Sequence, residues 1–318
     1  MKIVDNVVLV AQNKVKIADL LMSAGRAEKE VSRTIKFTGI EHIRTVNNIG
    51  LTKFITNGLT IVQNKYPSML QDIDAVIVIS QTYDIITPSI STQIQKLFQM
   101  PETTFCIDVM DGCAGLIKGI SLAEMLFAQG RRNILIIAGD INSETTAQSD
   151  LGTRILFGDG VSIMRVVPGG IEAKTHLIND GDLDGFIRSD RTKMTMNGFE
   201  VLIFTKNRVP STITSFLNEN CMRLEDFDAV ILHQASKIIV ENVAKLIGYK
   251  NTESSDFNCG DIGNLGAGSI GAWLANLGSD VEQREMRMLL AGFGAGLSVG
   301  VSAVSVQMDN NRIEYVAG

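Results

Sequence analysis

The chain has 318 residues, 45% of them hydrophobic and 20% charged, which is ample material for a large buried core and no mark of disorder. Its formal net charge of -6 argues against a general nucleic-acid binder. No stretch approaches the roughly 18 uninterrupted apolar residues of a membrane span, and Met1–Asp5 leads into no long apolar run like that of a signal peptide, so no membrane partner and a cytoplasmic location are expected.

Residues 7–11 form a short apolar run. Residues 17–30 carry an amphipathic helical pattern interrupted near Gly25, and Thr38-Gly39-Ile40 marks a turn. Residues 51–65 have helical periodicity that stops ahead of Pro67. Residues 74–80 (D-A-V-I-V-I-S) are continuously apolar, as in a strand buried on both faces. A helix is predicted over 89–98, then a strand over 104–110 that feeds Asp111-Gly112 and a helix from Ala114 to about Gln129. Residues 133–138 read as another buried strand. Gly158-Asp159-Gly160 reads as a glycine-rich turn before a strand over 161–167. Strands alternating with helices predict a largely parallel α/β sheet.

The second half echoes the first. Asp74-Ala75-Val76-Ile77-Val78 has a near copy in Asp228-Ala229-Val230-Ile231-Leu232. Gly112-Cys113-Ala114-Gly115-Leu116-Ile117 is echoed by Leu265-Gly266-Ala267-Gly268-Ser269-Ile270, and the Gly158 segment by residues 292–298. Echoes in the same order predict a duplicated α/β unit, with halves at 1–167 and 168–318. Such long copies exclude a solenoid.

The four cysteines, Cys106, Cys113, Cys221 and Cys259, are widely spaced with no CxxC pair, which disfavours structural zinc and a disulfide framework. Cys113 falls where a strand passes into a helix. Orphan N–H groups and the helix dipole there favour thiolate, and so a nucleophile. The plainer alternative is a small buried hydrophobe under a tight turn. His233 closes the apolar run 228–232, and catalytic groups in α/β sheets gather at the carboxyl ends of strands. It would otherwise be a satisfied core histidine. Asn264 starts the helix equivalent to that of Cys113, either as a functional amide or as an ordinary cap or turn residue. The duplication would bring the three together at the junction of the halves. Gly292-Phe293-Gly294-Ala295-Gly296 lacks the helix with Lys and Ser that a P-loop needs, since residues 297–306 continue as strand. Its N–H groups suit an oxyanion hole, or the segment is simply a close-packed hairpin.

Cys113 in D-G-C-A-G, His233 in H-Q-A-S, Asn264 in G-N-L-G-A-G-S-I and G-F-G-A-G at 292–296 resemble the β-ketoacyl-acyl-carrier-protein synthase III family of the thiolase-like superfamily. Thr38-Gly39-Ile40, Phe157-Gly158-Asp159-Gly160 and Met196-Asn197-Gly198 are collinear further matches. The resemblance implies a five-layered αβαβα fold of two duplicated α/β halves, a homodimer, and an acyl-cysteine on Cys113. It implies catalytic roles for His233 and Asn264 and an oxyanion hole at the N–H groups of Cys113 and Ala295. It also implies a substrate pocket at Thr87, Phe157 and Phe293, and carrier-protein docking at Lys237 and Lys245. The thioester would come from acyl carrier protein or acyl-CoA. No metal or other cofactor is implied.

The implied reaction is condensation of the acyl-cysteine with a malonyl thioester. One rival passes the acyl group to an alcohol or amine with His233 as general base. A non-catalytic partner subunit would normally lack Cys or His, and a degradative thiolase would need a second cysteine after Cys259. Departures from the family concern the donor. Members using acyl-CoA carry a Trp before the T-G-I turn and an Arg where Leu151 stands here, and Ile238 replaces a usual docking Arg. Acylation from carrier protein is therefore predicted to exceed acylation from CoA by more than tenfold in kcat/KM, about 1.4 kcal/mol of transition-state preference. Equal kcat/KM for the two donors, measured side by side, would contradict that expectation.

Overall fold

Along the strand Ala75–Ser80, Ala75, Ile77 and Ile79 enter one core while Val76 and Val78 enter another. Side chains of a strand alternate between faces, so a continuous apolar run means that both faces are covered. The strand Ala229–Leu232 repeats this, with Ala229 and Ile231 in the shared core and Val230 and Leu232 in a third. The computed structural model describes residues 1–147, 149–171, 175–190, 193–250, 257–277 and 285–317.

The strands Lys2–Ala11, Asp159–Val167, Ile134–Ile141, Ala75–Ser80 and Phe105–Met110 lie side by side in that order. The first two contacts are antiparallel and the next two parallel. His176–Asn179, Ser298–Gln307, Glu285–Gly294 and Ala229–Leu232 repeat the order and the directions: antiparallel, antiparallel, parallel. The expected, largely parallel arrangement is thus a mixed one. Glu285–Gly294 returns directly into Ser298–Gln307 as a hairpin, which forces antiparallel pairing. The two sheets join through Lys2↔Ser305 and Ile3↔Val306, and Asn311–Val316 pairs in parallel with Lys2–Ala11.

Helices fill the spaces on either side. Gly115–Ala128 and Ser269–Leu277 lie between the sheets. Leu116, Ile117, Ile120, Ile270, Trp273 and Leu274 share one core with Ile77, Ile79 and Ile136 of the first sheet and Ile231, Met288 and Leu290 of the second. Gly115–Ala128 is mostly buried or half-buried, with Lys118 and Glu124 among the half-buried positions and Met125 exposed. Gly50–Lys65 and Ile90–Leu97 cover the outer face of the first sheet through Phe54, Leu59, Ile90 and Ile94. Gly198–Glu219 and Lys237–Leu246 cover the outer face of the second through Val209, Ile213, Phe216, Val240 and Val243. The result is the five-layered αβαβα fold. No helix among the described residues is long and apolar enough to cross a membrane.

Several local expectations change. The pattern over 17–30 resolves into the helices Ile17–Ser23 and Glu28–Thr38. Gly25, at φ 78°, closes the first, with the Arg26 N–H on the Leu21 carbonyl. Gly39, at φ 75°, caps the second, so Thr38-Gly39 is a helix end and not a free turn. Gly158-Asp159-Gly160 is not a turn either, because a strand begins at Asp159. The buried Asp159 carboxylate accepts N–H bonds from Val46 at 2.9 Å and Ser143 at 2.8 Å. Burial nevertheless pushes it up to about 6.

Gly158 is held by contact with the second half. A Cβ there would lie 2.0 Å from the Ile262 carbonyl oxygen, a backbone atom with no room to yield. Gly158→Ala is expected to destabilise the protein by about 2–3 kcal/mol. Gly152→Ala, whose Cβ meets only Asp150 Oδ1 at 3.7 Å, is the control and should leave Tm unchanged or slightly raised. Calorimetry on the two variants checks this; an unchanged Tm for Gly158→Ala would deny the close contact.

Candidate active site

The strand Phe105–Met110 ends in Asp111-Gly112, and the Gly115 N–H bonds the Gly112 carbonyl at 2.8 Å. This turn sets Cys113 just ahead of the helix Gly115–Ala128, only 7% exposed. Asp111 pairs with Lys118 one turn into the helix. From the other half comes the hairpin at 292–296. A Cβ on Gly294 would fall 2.7 Å from Cys113 Cβ and 3.1 Å from its Sγ, so only bare backbone fits over the thiol. The backbone N–H groups of Cys113 and Ala295 lie near enough to the sulfur to favour its thiolate. These are the donors predicted for the oxyanion hole.

The thiol's ionisation differs from expectation. Burial, then the carboxylates of Asp140 and Asp111, push Cys113 up to about 12, against a pull downward from the two N–H groups. Desolvation disfavours the charged form more than the helix terminus favours it. Cys113 rests as a thiol, not as a preformed thiolate.

His233 follows the strand Ala229–Leu232 and is tied to the second sheet by its N–H on the Ala291 carbonyl at 2.8 Å. Its ring stands edge-on to Phe293, centroids 5.4 Å apart at 87°. Nδ1 lies 2.6 Å from Ser269 Oγ. That hydroxyl also accepts the Gln234 N–H at 3.3 Å, and among the described residues Nδ1 is the acceptor its own proton meets, so the bond is assigned as Ser269 O–H to Nδ1. The tautomer so assigned carries its hydrogen on Nε2. Burial alone pushes His233 down to about 3, so the ring is neutral.

Asn264 does not cap a helix. A 3-10 turn, Gly266–Gly268, intervenes, and the helix Ser269–Leu277 starts later. Asn264 instead bridges Phe157, with its N–H on the Leu156 carbonyl at 2.9 Å and its carbonyl on the Gly158 N–H at 3.0 Å. Its Oδ1 accepts the Gly266 N–H at 2.9 Å, which leaves Nδ2 as the donor. Gly294 covers Cys113, the neighbouring Phe293 backs His233, and a Cβ on Gly115 would meet Ala267, three residues after Asn264, at 3.8 Å.

Asn264 also reaches a cavity of about 340 Å³ walled by Phe37, Leu156, Phe157, Met196, Phe199, Leu202 and Ile239. Phe157 is one wall of this cavity. Phe293 is not; it lies beneath His233. Thr87 is exposed on its loop and lines no part of this cavity. Lys237 stands beside the mouth, since a Cβ on Gly39 would touch Lys237 Cβ at 2.7 Å, and it pairs with Glu241 at 3.8 Å. Lys245 is exposed in the last turn of the same helix. Leu151 lines a separate cleft of about 390 Å³ with Arg26, Glu30 and Arg33. Among the described residues no His, Cys, Asp and Glu group is arranged to hold a metal ion. Sequence reasoning missed Ser269 as the partner of His233 and Phe199 and Leu202 as walls. Ser269 stood inside the quoted G-A-G-S-I, yet nothing in one dimension pairs it with a residue so far upstream.

A thiol with a raised pKa has a testable consequence. Acylation of Cys113 by a thioester should accelerate from about pH 6 to about pH 9 without levelling, since the thiolate fraction grows tenfold per unit below the pKa. Time courses of intact protein mass measure this; a plateau near neutrality would mean that the thiolate is already formed.

Comparison with known proteins agrees with this architecture. The family model for 3-oxoacyl-[acyl-carrier-protein] synthase III matches residues 107–181, and that for its C-terminal part matches residues 217–306. The beta-ketoacyl-[acyl-carrier-protein] synthase III of Lactobacillus helveticus is 26% identical over 287 residues, covering 83% of this chain and 86% of its own. Among solved structures, 3-oxoacyl-(acyl-carrier protein) synthase from Burkholderia xenovorans superposes with a TM-score of 0.87 at 21% identity, covering 99% of this chain and 97% of its own. The synthase III of Aquifex aeolicus gives 0.85 at 23% identity, covering 95% and 98%. These structures share the fold, and the two family models together span just over half of the residues. Matched by these two models over more than half of its residues, the chain belongs to the 3-oxoacyl-acyl-carrier-protein synthase III family.

Proposed function

We propose that Cys113 carries the acyl group and that His233 and Asn264 act on a malonyl thioester. The observation that carries this reading is the orientation of hydrogen-bond donors. Two N–H groups meet the Cys113 sulfur, while Nε2 of His233 and Nδ2 of Asn264 are left to donate.

In the first step Cys113 gives its proton to solvent, from which the departing donor sulfur later takes one, and the Cys113 thiolate attacks the donor's thioester carbon. The carbonyl electrons move to oxygen, held by the N–H groups of Cys113 and Ala295. Each such donor is worth on the order of 3–4 kcal/mol. The donor thiol then leaves, giving the acyl-cysteine. In the second step the extender's carboxylate departs as CO₂ and its electron pair passes into the α-carbon and thioester carbonyl. His233 Nε2–H and Asn264 Nδ2–H stabilise the resulting enolate oxygen. The α-carbon attacks acyl-Cys113, a carbon–carbon bond forms and the cysteine sulfur leaves. The product is a 3-oxoacyl thioester.

Transfer to an alcohol or amine fits less well. It needs His233 as a base, and a ring whose conjugate acid titrates at about 3 is a poor one near neutrality. A neutral imidazole is, by contrast, a good hydrogen-bond donor throughout that range. The donor is a cytoplasmic phosphopantetheine thioester on carrier protein or CoA. The apolar cavity suits its arm, Arg26 and Arg33 supply cations for phosphate, and Lys237 and Lys245 lie on the helix beside the mouth. The protein acts as a homodimer. Ile86 and Met110, 55% and 75% exposed, are apolar surface that a second copy would cover.

The test separates the steps. His233→Ala and Asn264→Ala should still form acyl-Cys113, and both should lose decarboxylation of a malonyl thioester by roughly 10²–10³. Acyl-enzyme mass and CO₂ release are measured on the same preparations. Full product formation by Asn264→Ala alongside complete loss in His233→Ala would overturn condensation and favour a histidine base.

A further inference from the structure

One buried carboxylate beside the site takes no part in either step. Asp140, near the end of the strand Ile134–Ile141, has no exposed surface. Its Oδ1 accepts the Ser80 hydroxyl and the Gln81 N–H, each at 2.8 Å, with the Thr82 hydroxyl further off at 3.4 Å. Those residues close the neighbouring strand Ala75–Ser80 and lead on to Cys113. The Ser80 carbonyl accepts the Asp111 N–H at 3.1 Å, and a Cβ on Gly112 would fall 2.6 Å from Gln81 Oε1. Asp140 Oδ2 lies against the backbone of Gly266, where no Cβ could fit, and the Ala267 N–H is near enough to favour the ionised carboxylate. The same turn fixes Asn264, whose Oδ1 accepts the Gly266 N–H at 2.9 Å. One carboxylate thus touches two segments far apart in the chain, one leading to Cys113 and one following Asn264.

We propose that Asp140 is a positioning residue that ties the Cys113 turn to the Asn264 turn, so that the Asn264 amide meets an extender held beside the sulfur. This rests on the condensation reading, in which Asn264 Nδ2 donates to the extender. An ionised carboxylate accepts on both oxygens and donates nothing, as this place requires. Asparagine there would keep one oxygen for Ser80 and Gln81 but set an NH₂ against Gly266 and beside the Ala267 N–H, donor facing donor. Asp140→Asn therefore loosens the Asn264 side and spares the Cys113 side. The charge has a second effect, because Asp140 disfavours the Cys113 thiolate. Burial pushes Asp140 up to about 6, so its charge is present above that pH and lost below it. The other ionisable groups nearby are the Tyr83 phenol, which burial pushes further up, and Asp111, which pairs with Lys118. The same residue slows the first step and serves the second.

Asp140→Asn in the full chain tests this with two readouts, alkylation of Cys113 by iodoacetamide and CO₂ release from malonyl-pantetheine. Alkylation should be at least about threefold faster than in the wild type near pH 8, and the two rates should converge near pH 5, where wild-type Asp140 is itself uncharged. CO₂ release should fall at least about tenfold, as for a misplaced catalytic group. A merely structural role would slow both and give a ratio of alkylation rates that does not change with pH. Ser80→Ala, which keeps the charge but removes one of its bonds, carries the test should Asp140→Asn fail to fold. It should lower CO₂ release at least about threefold and leave the pH profile of alkylation unchanged. Undiminished CO₂ release in the folded variants, or alkylation by Asp140→Asn no faster than wild type near pH 8, would overturn the assignment. A wild-type protein that releases no CO₂ would instead strike the condensation reading, and the alkylation profile would still decide the effect of the charge.

Discussion

The contact on which the rest depends is bare backbone against the first turn of the Cys113 helix. A Cβ on Gly292 would lie 3.1 Å from the Cys113 carbonyl oxygen and from Ala114 Cα, and one on Gly300 would lie 2.8 Å from Ile117 Cβ. With Gly294 over the thiol, the second sheet rests on that helix with almost nothing between them. The same closeness does two things. It completes the central core between the sheets, and it brings the Ala295 N–H to the sulfur. Any side chain at these glycines would push the halves apart and move the donor away from the reacting atom, so stability and chemistry rest on one contact.

Much of the fold was legible because both-face burial leaves a one-dimensional trace. The apolar runs at 74–80 and 228–232 could only be strands covered on both sides, and their likeness exposed the duplication. Cys113 at a strand-to-helix junction and His233 at a strand end were legible for the same reason. What the linear pattern hid were properties set by distant neighbours. The charge state of Cys113 depends on Asp140, which the strand Ile134–Ile141 delivers, and on burial under Gly294. Local reasoning saw the helix dipole and not the desolvation that outweighs it. Asn264 looked like a helix cap because its segment echoes that of Cys113. The 3-10 turn that follows and the bridge to Phe157 are tertiary facts. Gly39 was read as a turn because the helix Glu28–Thr38 before it was not recognised.

The electrostatic character of the site is its near absence of charge. Cys113 rests protonated, His233 is neutral, Asn264 is an amide, and the cavity beyond them is mostly aromatic and aliphatic. The nearby ions are engaged elsewhere: Asp111 pairs with Lys118, and Asp140, itself pushed up to about 6 by burial, accepts from Ser80 Oγ and the Gln81 N–H at 2.8 Å. An extender carboxylate arriving here exchanges water for an apolar surround, which favours the state in which that charge has left as CO₂. In the proposed mechanism the negative charge then reappears on the thioester oxygen, toward which His233 and Asn264 would donate.

That division explains why the donors must be neutral. A cationic histidine would pair with the extender carboxylate and stabilise the ground state as much as the enolate, which gains nothing in rate. The low pKa of His233 keeps the ring from doing so, and Ser269 fixes which nitrogen bears the hydrogen. Burial therefore has opposite consequences at the two side chains proposed to act. It handicaps Cys113 by holding it as a thiol, and it suits His233 by holding it uncharged. The N–H groups of Cys113 and Ala295 partly offset the handicap at the sulfur, and in the proposed mechanism they would hold the oxyanion that forms beside it.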